Sequence, residues 1–89
     1  SAFTFSESYD VTVKVTTNDE RADPVQDATV TLIGSGVAKT ASTNGDGTAT
    51  LTITPSLADN INEASMKLTV KATGFEEFSD DDAVIIYRL

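Results

Sequence analysis

The alternation of apolar and polar residues over positions 24–53 constrains the fold of this chain more than any other feature. Residues 28–32 and 48–54 each place an apolar side chain at every second position, with threonine between them. A period of two puts the apolar side chains on one face of a β-strand. Between these segments stands Asn44-Gly45-Asp46-Gly47, and because Asn and Gly tolerate positive φ, this run predicts a tight hairpin connection.

The same pattern recurs along most of the 89 residues. It predicts clear strands at 9–16, 28–32, 48–54 and 66–72, and shorter strands at 3–5, 37–42 and 83–89. Residues 79–82, Ser-Asp-Asp-Asp, are expected to form a charged loop before the last strand. No segment holds a helical period, so we expect one helical turn at most, around Leu57 and Ile61. About seven strands separated by turns predict an all-β chain, an antiparallel Greek-key β-sandwich.

Length and composition exclude several classes of function. A chain of 89 residues predicts a single domain, and a net charge of −8 disfavours nucleic acid and anionic membrane surfaces as partners. The chain has no cysteine and no histidine, which removes disulfides, thiolate chemistry, the commonest general base and the commonest zinc ligand. No apolar run has the roughly 20 residues that span a bilayer, so no membrane insertion is expected.

The ends of the sequence suggest a domain taken from a larger protein. The chain starts at Ser1 without an initiator methionine and stops at Leu89, directly after a strand pattern. We therefore expect residues 1–89 to form one domain of a longer or processed chain. Extracellular domains without disulfides are common in bacteria and archaea, so the lack of cysteine is compatible with a place outside the cell.

Three motifs carry a resemblance to a known family. They are the runs at 24–30 (Pro-Val-Gln-Asp-Ala-Thr-Val), 43–49 (Thr-Asn-Gly-Asp-Gly-Thr-Ala) and 68–75 (Leu-Thr-Val-Lys-Ala-Thr-Gly-Phe). Together they resemble the P-V-x-x-A-x-V … T-[DN]-x-x-G-x-A … L-x-V-x-A-x-G-[FY] signature of carboxypeptidase-regulatory-like (transthyretin-like) domains and related bacterial Ig-like modules. The resemblance implies a prealbumin-like or Ig-like sandwich. It also implies a non-catalytic module of a secreted or surface protein, which spaces, stabilises or binds.

Catalysis is not expected. Transthyretin-like hydrolases use histidines, and this chain has none. Pilin and adhesin domains of the Cna-B type close a Lys–Asn isopeptide bond, for which Lys14 would be the candidate. However, Lys14 falls on the polar face of its predicted strand, and residues 83–89 contain no Asn or Asp. No nucleophile and base can be paired from the sequence, so we expect the chain not to be an enzyme.

Two acidic segments make calcium the one cofactor that the sequence allows. The denser is Asp80-Asp81-Asp82, and Asp19 and Asp23 belong to a second acidic segment. Calcium takes six to eight oxygen ligands, so a calcium site would form if these segments converged at one end of the sandwich. The alternative is that the carboxylates are solvated and keep a strand edge from aggregating.

The function expected from the sequence is that of a non-catalytic extracellular module. It would space or stabilise a neighbouring domain of the same chain, or contact another protein. The alternative is an adhesion module that recognises carbohydrate or protein through its end loops, with or without calcium. The sheet edge at 84–87 is the expected docking place. The aromatic residues (Tyr9, Phe75, Phe78 and Tyr87) serve either core packing or an exposed patch for a partner.

Overall fold

The chain is all-β. The computed structural model of the 89-residue protein describes residues 2–4, 8–57 and 60–87, and these residues contain no helix. Six strands pair antiparallel in two sheets. They are β2 (Tyr9–Lys14), β3 (Thr29–Gly34), β4 (Val37–Ser42), β5 (Thr48–Ile53), β6 (Glu63–Lys71) and β7 (Phe78–Tyr87), and a short segment β1 (Ala2–Thr4) precedes them. In the described part of the chain, no helix is long and apolar enough to cross a membrane.

The two sheets face one another in a sandwich-like arrangement. The larger sheet has the order β1-β7-β6-β3-β4, and the smaller consists of β2 and β5. The alternation read from the sequence holds, since Val30 and Leu32 on β3 and Leu51 and Ile53 on β5 are buried, while most threonines between them are exposed. Met66, Val70, Val84 and Ile86 complete the core from β6 and β7. The prediction of an all-β chain with antiparallel strands is therefore confirmed.

The connection at residues 44–47 is a turn, but it is not a hairpin. β4 pairs with β3 and β5 pairs with β2, so the turn carries the chain from the larger sheet to the smaller one. The turn itself closes as expected, because Asn44 Oδ1 accepts the backbone N–H of Asp46 at 2.9 Å and that of Thr48 at 3.2 Å. The hairpin prediction was therefore wrong about the strands that the turn joins.

The residue before this turn is bonded to the segment that precedes β3. Thr43 is buried, its hydroxyl donates to the Val25 carbonyl at 2.6 Å, and it accepts the Ala28 N–H at 2.9 Å. Two backbone bonds join the same segments, from Asp27 N–H to the Thr43 carbonyl and from Thr43 N–H to the Ala28 carbonyl, both at 3.0 Å. Four hydrogen bonds thus join the two motifs at 24–30 and 43–49 directly before the turn.

The acidic run at 80–82 lies within a strand. β7 starts at Phe78, and Leu68 pairs with Asp80 while Met66 pairs with Val84. One residue of β6 therefore spans the same interval as three residues of β7, which is a bulge at Asp81, Asp82 and Ala83. The charged-loop prediction was wrong because the ladder with β6 continues through the acidic residues, whose side chains remain exposed.

The N-terminal strand forms at the edge of the larger sheet, but its pairing differs from the prediction. β1 pairs with β7 in parallel, with Phe3 opposite Ile86, whereas we expected only antiparallel pairing. Because β1 pairs with Ile85, Ile86 and Tyr87, the expected free edge at 84–87 is largely occupied. Phe5, predicted to belong to the first strand, lies outside the described residues, as do residues 58–59 of the expected helical turn.

Candidate functional site

A cleft of about 590 Å³ opens between the two sheets at one end of the protein. One wall comes from residues 13–18, which are the end of β2 and the segment after it. The other wall comes from Leu68 and Val70 of β6, from Ala72, and from residues 75–78. The alternation accounts for the apolar lining, because Val13 of β2 and Val15 directly after it both pack against the core.

The cleft is open because the smaller sheet is narrower than the larger one. β2 shares the cleft with residues of β6, while β7 and β1 lie further out in the larger sheet. Within the described residues, no strand lies beside β2 on the side away from β5. The first half of β7, from Phe78 to Asp82, is therefore not covered by a strand of the smaller sheet.

Two aromatic side chains are exposed at the mouth of the cleft. Phe75 and Phe78 are each 54% exposed, although both also line the cleft. Tyr9 instead is half-buried against the core, and Tyr87 lies at the far end of β7. The predicted aromatic patch therefore consists of Phe75 and Phe78. Neighbouring apolar groups exposed beside an open apolar cleft are typical of interaction surfaces.

The rim of the cleft carries charges of both signs, and it is acidic on the side of residues 76–82. Lys14, Glu76 and Glu77 line it, and Glu77 Oε2 lies 3.4 Å from Lys71 Nζ in an exposed ion pair. Glu76 makes no ion pair with another described residue. The carboxylates of Asp80, Asp81 and Asp82 follow on β7, again without a basic partner in the described part of the chain.

Asp19, one of the predicted calcium ligands, holds its own loop together. Its Oδ1 accepts the Thr17 hydroxyl at 2.9 Å and the N–H groups of Arg21 and Ala22, both at 3.0 Å. The Thr17 hydroxyl, followed by these backbone donors, lowers the pKa of Asp19 below its ordinary value of 3.8. Asp23 pairs with Arg21, whose Nε lies 3.2 Å from Asp23 Oδ2. Both carboxylates thus have partners within their loop.

The five predicted calcium ligands do not form a cluster. Asp80 Oδ1 accepts the N–H of Asp82 at 3.0 Å, which is a local contact across the bulge. Among residues 8–57 and 60–87, no group of three or more acidic side chains could hold a metal ion. The carboxylates of Asp19, Asp23 and Asp80 have local partners, and those of Asp81 and Asp82 are exposed. Calcium binding by these five residues remains a hypothesis to be tested.

The calcium hypothesis is tested by thermal unfolding in EDTA and in millimolar calcium. A ligand that binds only the folded state at a hundredfold excess over its Kd would stabilise it by about 2.7 kcal/mol. In a domain of this size that would raise Tm by roughly 10–20 °C. From the separation of the acidic residues we expect equal midpoints, with magnesium as the control for ionic strength. A rise of that size with calcium alone would contradict this expectation.

The lowered pKa of Asp19 predicts a specific dependence of stability on pH. A carboxyl whose pKa is depressed in the folded state stabilises the protein above its unfolded pKa, about 4, and this contribution is lost as pH falls through the folded pKa. We expect Asp19→Asn to lower Tm at pH 6 and to lose less Tm than the wild type between pH 6 and pH 2.5. Asp46→Asn removes the same charge from another exposed turn and is the matched control. Equal losses in the Asp19 and Asp46 variants would refute the assignment.

Sequence reasoning missed the cleft. The signal that could have found it is the motif at 68–75 followed by Phe78, which places two phenylalanines around a turn with glutamates between them. The two glutamates make residues 75–78 polar on average, and a polar segment next to the charged run at 79–82 does not by itself indicate a cleft.

No protein-family model matches the chain, and neither the search of curated proteins nor the search of solved structures found a significant match.

Proposed function

We propose that this chain is a non-catalytic structural or interaction module that stabilises, spaces or contacts a neighbouring protein surface. The observation that carries the proposal is the open apolar cleft with Phe75 and Phe78 exposed at its mouth. Exposed phenylalanines beside an apolar cleft are unfavourable in water, and a docked partner would remove them from solvent. The partner surface in this proposal covers Phe78 and closes the cleft.

The family resemblance supports the same proposal. In carboxypeptidase-regulatory-like domains a seven-stranded Greek-key sandwich of prealbumin-like type serves secreted and surface proteins without catalysis. The three motifs of that signature stand in this chain at 24–30, 43–49 and 68–75. We propose the same finer topology, a place outside the cell, and a neighbouring domain as the first candidate for the partner. The carbohydrate alternative has less support, because the cleft is lined by aliphatic side chains and Phe rather than by Trp.

The test compares this chain alone with the natural gene product that contains it. If a neighbouring domain covers the cleft, the module unfolds at a higher temperature within the gene product than by itself. Phe78→Ser is expected to remove that difference and to leave the Tm of the isolated chain within about 2 °C, since the side chain is half-exposed there. Thr50→Ser, on the exposed face of the smaller sheet, is the control.

Two results would overturn the neighbouring-domain proposal. One is an identical Tm for the isolated chain and the full gene product, with Phe78→Ser lowering both alike. The other is a natural gene product without further domains. A turnover of substrate that is lost in variants of the cleft would overturn the non-catalytic part.

A further inference from the structure

The edge of β2 beside the cleft has the geometry of a binding site for an extended peptide. β2 pairs with β5 in the register Val11 with Leu51 and Val13 with Ala49, and the Val15 N–H donates to the Gly47 carbonyl at 2.7 Å in line with that ladder. In an antiparallel pair, residues alternate between those bonded to the neighbour and those pointing away. The odd-numbered residues of β2 therefore bond toward β5, and the backbone groups of Thr12 and Lys14 point to the opposite edge.

That edge has no strand partner among the residues that the structure describes. The end of β2 adjoins the cleft, which is lined by Val13 and Lys14 and by Val15 directly after the strand. Unpaired backbone donors and acceptors thus run alongside an open apolar floor.

The larger sheet provides a floor for one more strand in this position. Neighbouring strands in a sheet lie about 4.8 Å apart. β7 is the next strand after β6 in the larger sheet, and Phe78 of β7 lines the same cleft as Val13 and Lys14 of β2. A strand added to β2 would lie above Phe78 and Leu68. Every second side chain of the added strand would point into the cleft.

The charges around the cleft define the chemistry of the occupant. Glu76 at the rim and Asp80, Asp81 and Asp82 on the adjoining part of β7 have no basic partner in the described residues, and the whole chain carries a net charge of −8. We propose that the free edge of β2 and the cleft bind an extended segment of a partner protein in which apolar residues alternate with polar ones and Lys or Arg flank the apolar run. Backbone bonds to Thr12 and Lys14 give affinity, and the cleft gives specificity.

A second copy of this chain is a poor occupant of the same edge, because the net charges of −8 on the two copies repel each other. The acidic rim selects against an acidic partner in the same way.

The proposal rests on the proposed interaction function and is tested by selection from displayed peptides. One library holds nine-residue peptides with Val, Ile, Leu or Phe at even positions and Lys, Arg, Thr or Ser at odd positions. The control library has Asp and Glu in place of Lys and Arg. We expect enrichment from the basic library only. In ¹H–¹⁵N spectra, the selected peptide is expected to shift the amides of Thr12 and Lys14 and to slow their hydrogen exchange at least tenfold.

Two variants separate edge pairing from other modes of binding. Thr12→Pro removes a backbone donor at the free edge, and Thr50→Pro makes the matched change on β5, opposite Thr12 in the ladder. We expect Thr12→Pro and Phe78→Ser each to weaken the peptide at least tenfold, and Thr50→Pro to leave binding unchanged, with a thermal melt reporting on the fold of each. Phe78→Ser keeps the test valid if a proline variant unfolds.

Several outcomes would overturn the proposal. They are the absence of enrichment from the basic library, equal enrichment from the acidic library, peptide-induced shifts away from β2, and self-association of the protein through β2. If the module is stabilised within its gene product through Phe78 while the peptides fail, edge pairing is refuted and the proposed function stands. If the peptides bind while the gene product gives no stabilisation, the neighbouring-domain proposal fails instead.

Discussion

Replacing Gly47 with alanine is expected to destabilise the protein by about 3–5 kcal/mol, which is a large part of the stability of a small domain. Gly47 has φ of +75°, a region that L-residues with a Cβ adopt only with strain. A Cβ at this position would lie 2.5 Å from the Val15 carbonyl oxygen and 3.0 Å from the Val25 N. Both are backbone atoms, so neither can rotate away. The effect is measured by urea unfolding followed by circular dichroism.

Gly45→Ala is the matched control for this prediction. Gly45 lies in the same turn, its φ is not positive, and a Cβ there would meet no atom within 4 Å. We expect its free energy of unfolding to stay within about 1 kcal/mol of the wild type. If both alanine variants had the same stability, the close approach of Gly47 to the segments at 15 and 25 would be refuted.

Thr43→Val is expected to lower the free energy of unfolding by about 2–4 kcal/mol. The substitution keeps the shape of the side chain but removes the hydroxyl that donates to the Val25 carbonyl and accepts the Ala28 N–H. Thr43 is 3% exposed, so water cannot replace these bonds. A buried polar group left without a partner is destabilising by about 1–3 kcal/mol, and two such groups would remain. Urea unfolding gives this quantity directly.

The matched control is Thr50→Val on β5, where the side chain is exposed. Its hydroxyl has only a long contact of 3.4 Å with that of Thr12, and valine is a good strand former. We expect a change within about 0.5 kcal/mol in either direction. A loss for Thr43→Val no larger than for Thr50→Val would show that the Thr43 hydroxyl does not join the two motifs.

The strands could be predicted from the sequence because burial follows a local pattern. Strict alternation at 28–32 and 48–54 identified the buried side chains of β3 and β5, and threonine at the intervening positions marked the exposed face. The pairing of those strands was not predictable in the same way. Asn44 and Gly47 encode a turn, but the strands on its two sides pair with different partners, β4 with β3 and β5 with β2. The hydroxyl of Thr43, next to the turn, likewise bonds to residues 15 and 18 positions away in the sequence.

The acidic run at 80–82 shows a second limit of local patterns. Three consecutive aspartates have low strand propensity and predict a loop. Tertiary context overrides this preference, because β6 supplies a partner ladder through Leu68, Thr69 and Val70, and the bulge takes up the surplus residues. The charges then lie along a strand with a free edge, where they oppose pairing with other acidic chains.

The cleft could not be predicted because it depends on how far one sheet extends past the other. The sequence marks Phe75 and Phe78 as candidates for an exposed patch. It does not show that the sheet containing β2 has only two strands, while the sheet containing β7 has five. That offset arises from the total number of strands in each sheet. It is a property of the whole arrangement and has no local pattern.

Hydrogen exchange at the amides of β2 tests the central claim most directly, because the proposed function needs a free edge beside an open cleft. In the protein alone, we expect the amides of Val11 and Val13 to be protected through their bonds to β5. The amides of Thr12 and Lys14 are expected to exchange close to the rate of an unstructured peptide. Equal protection of all four amides would mean that the edge of β2 is already paired, and would contradict the account.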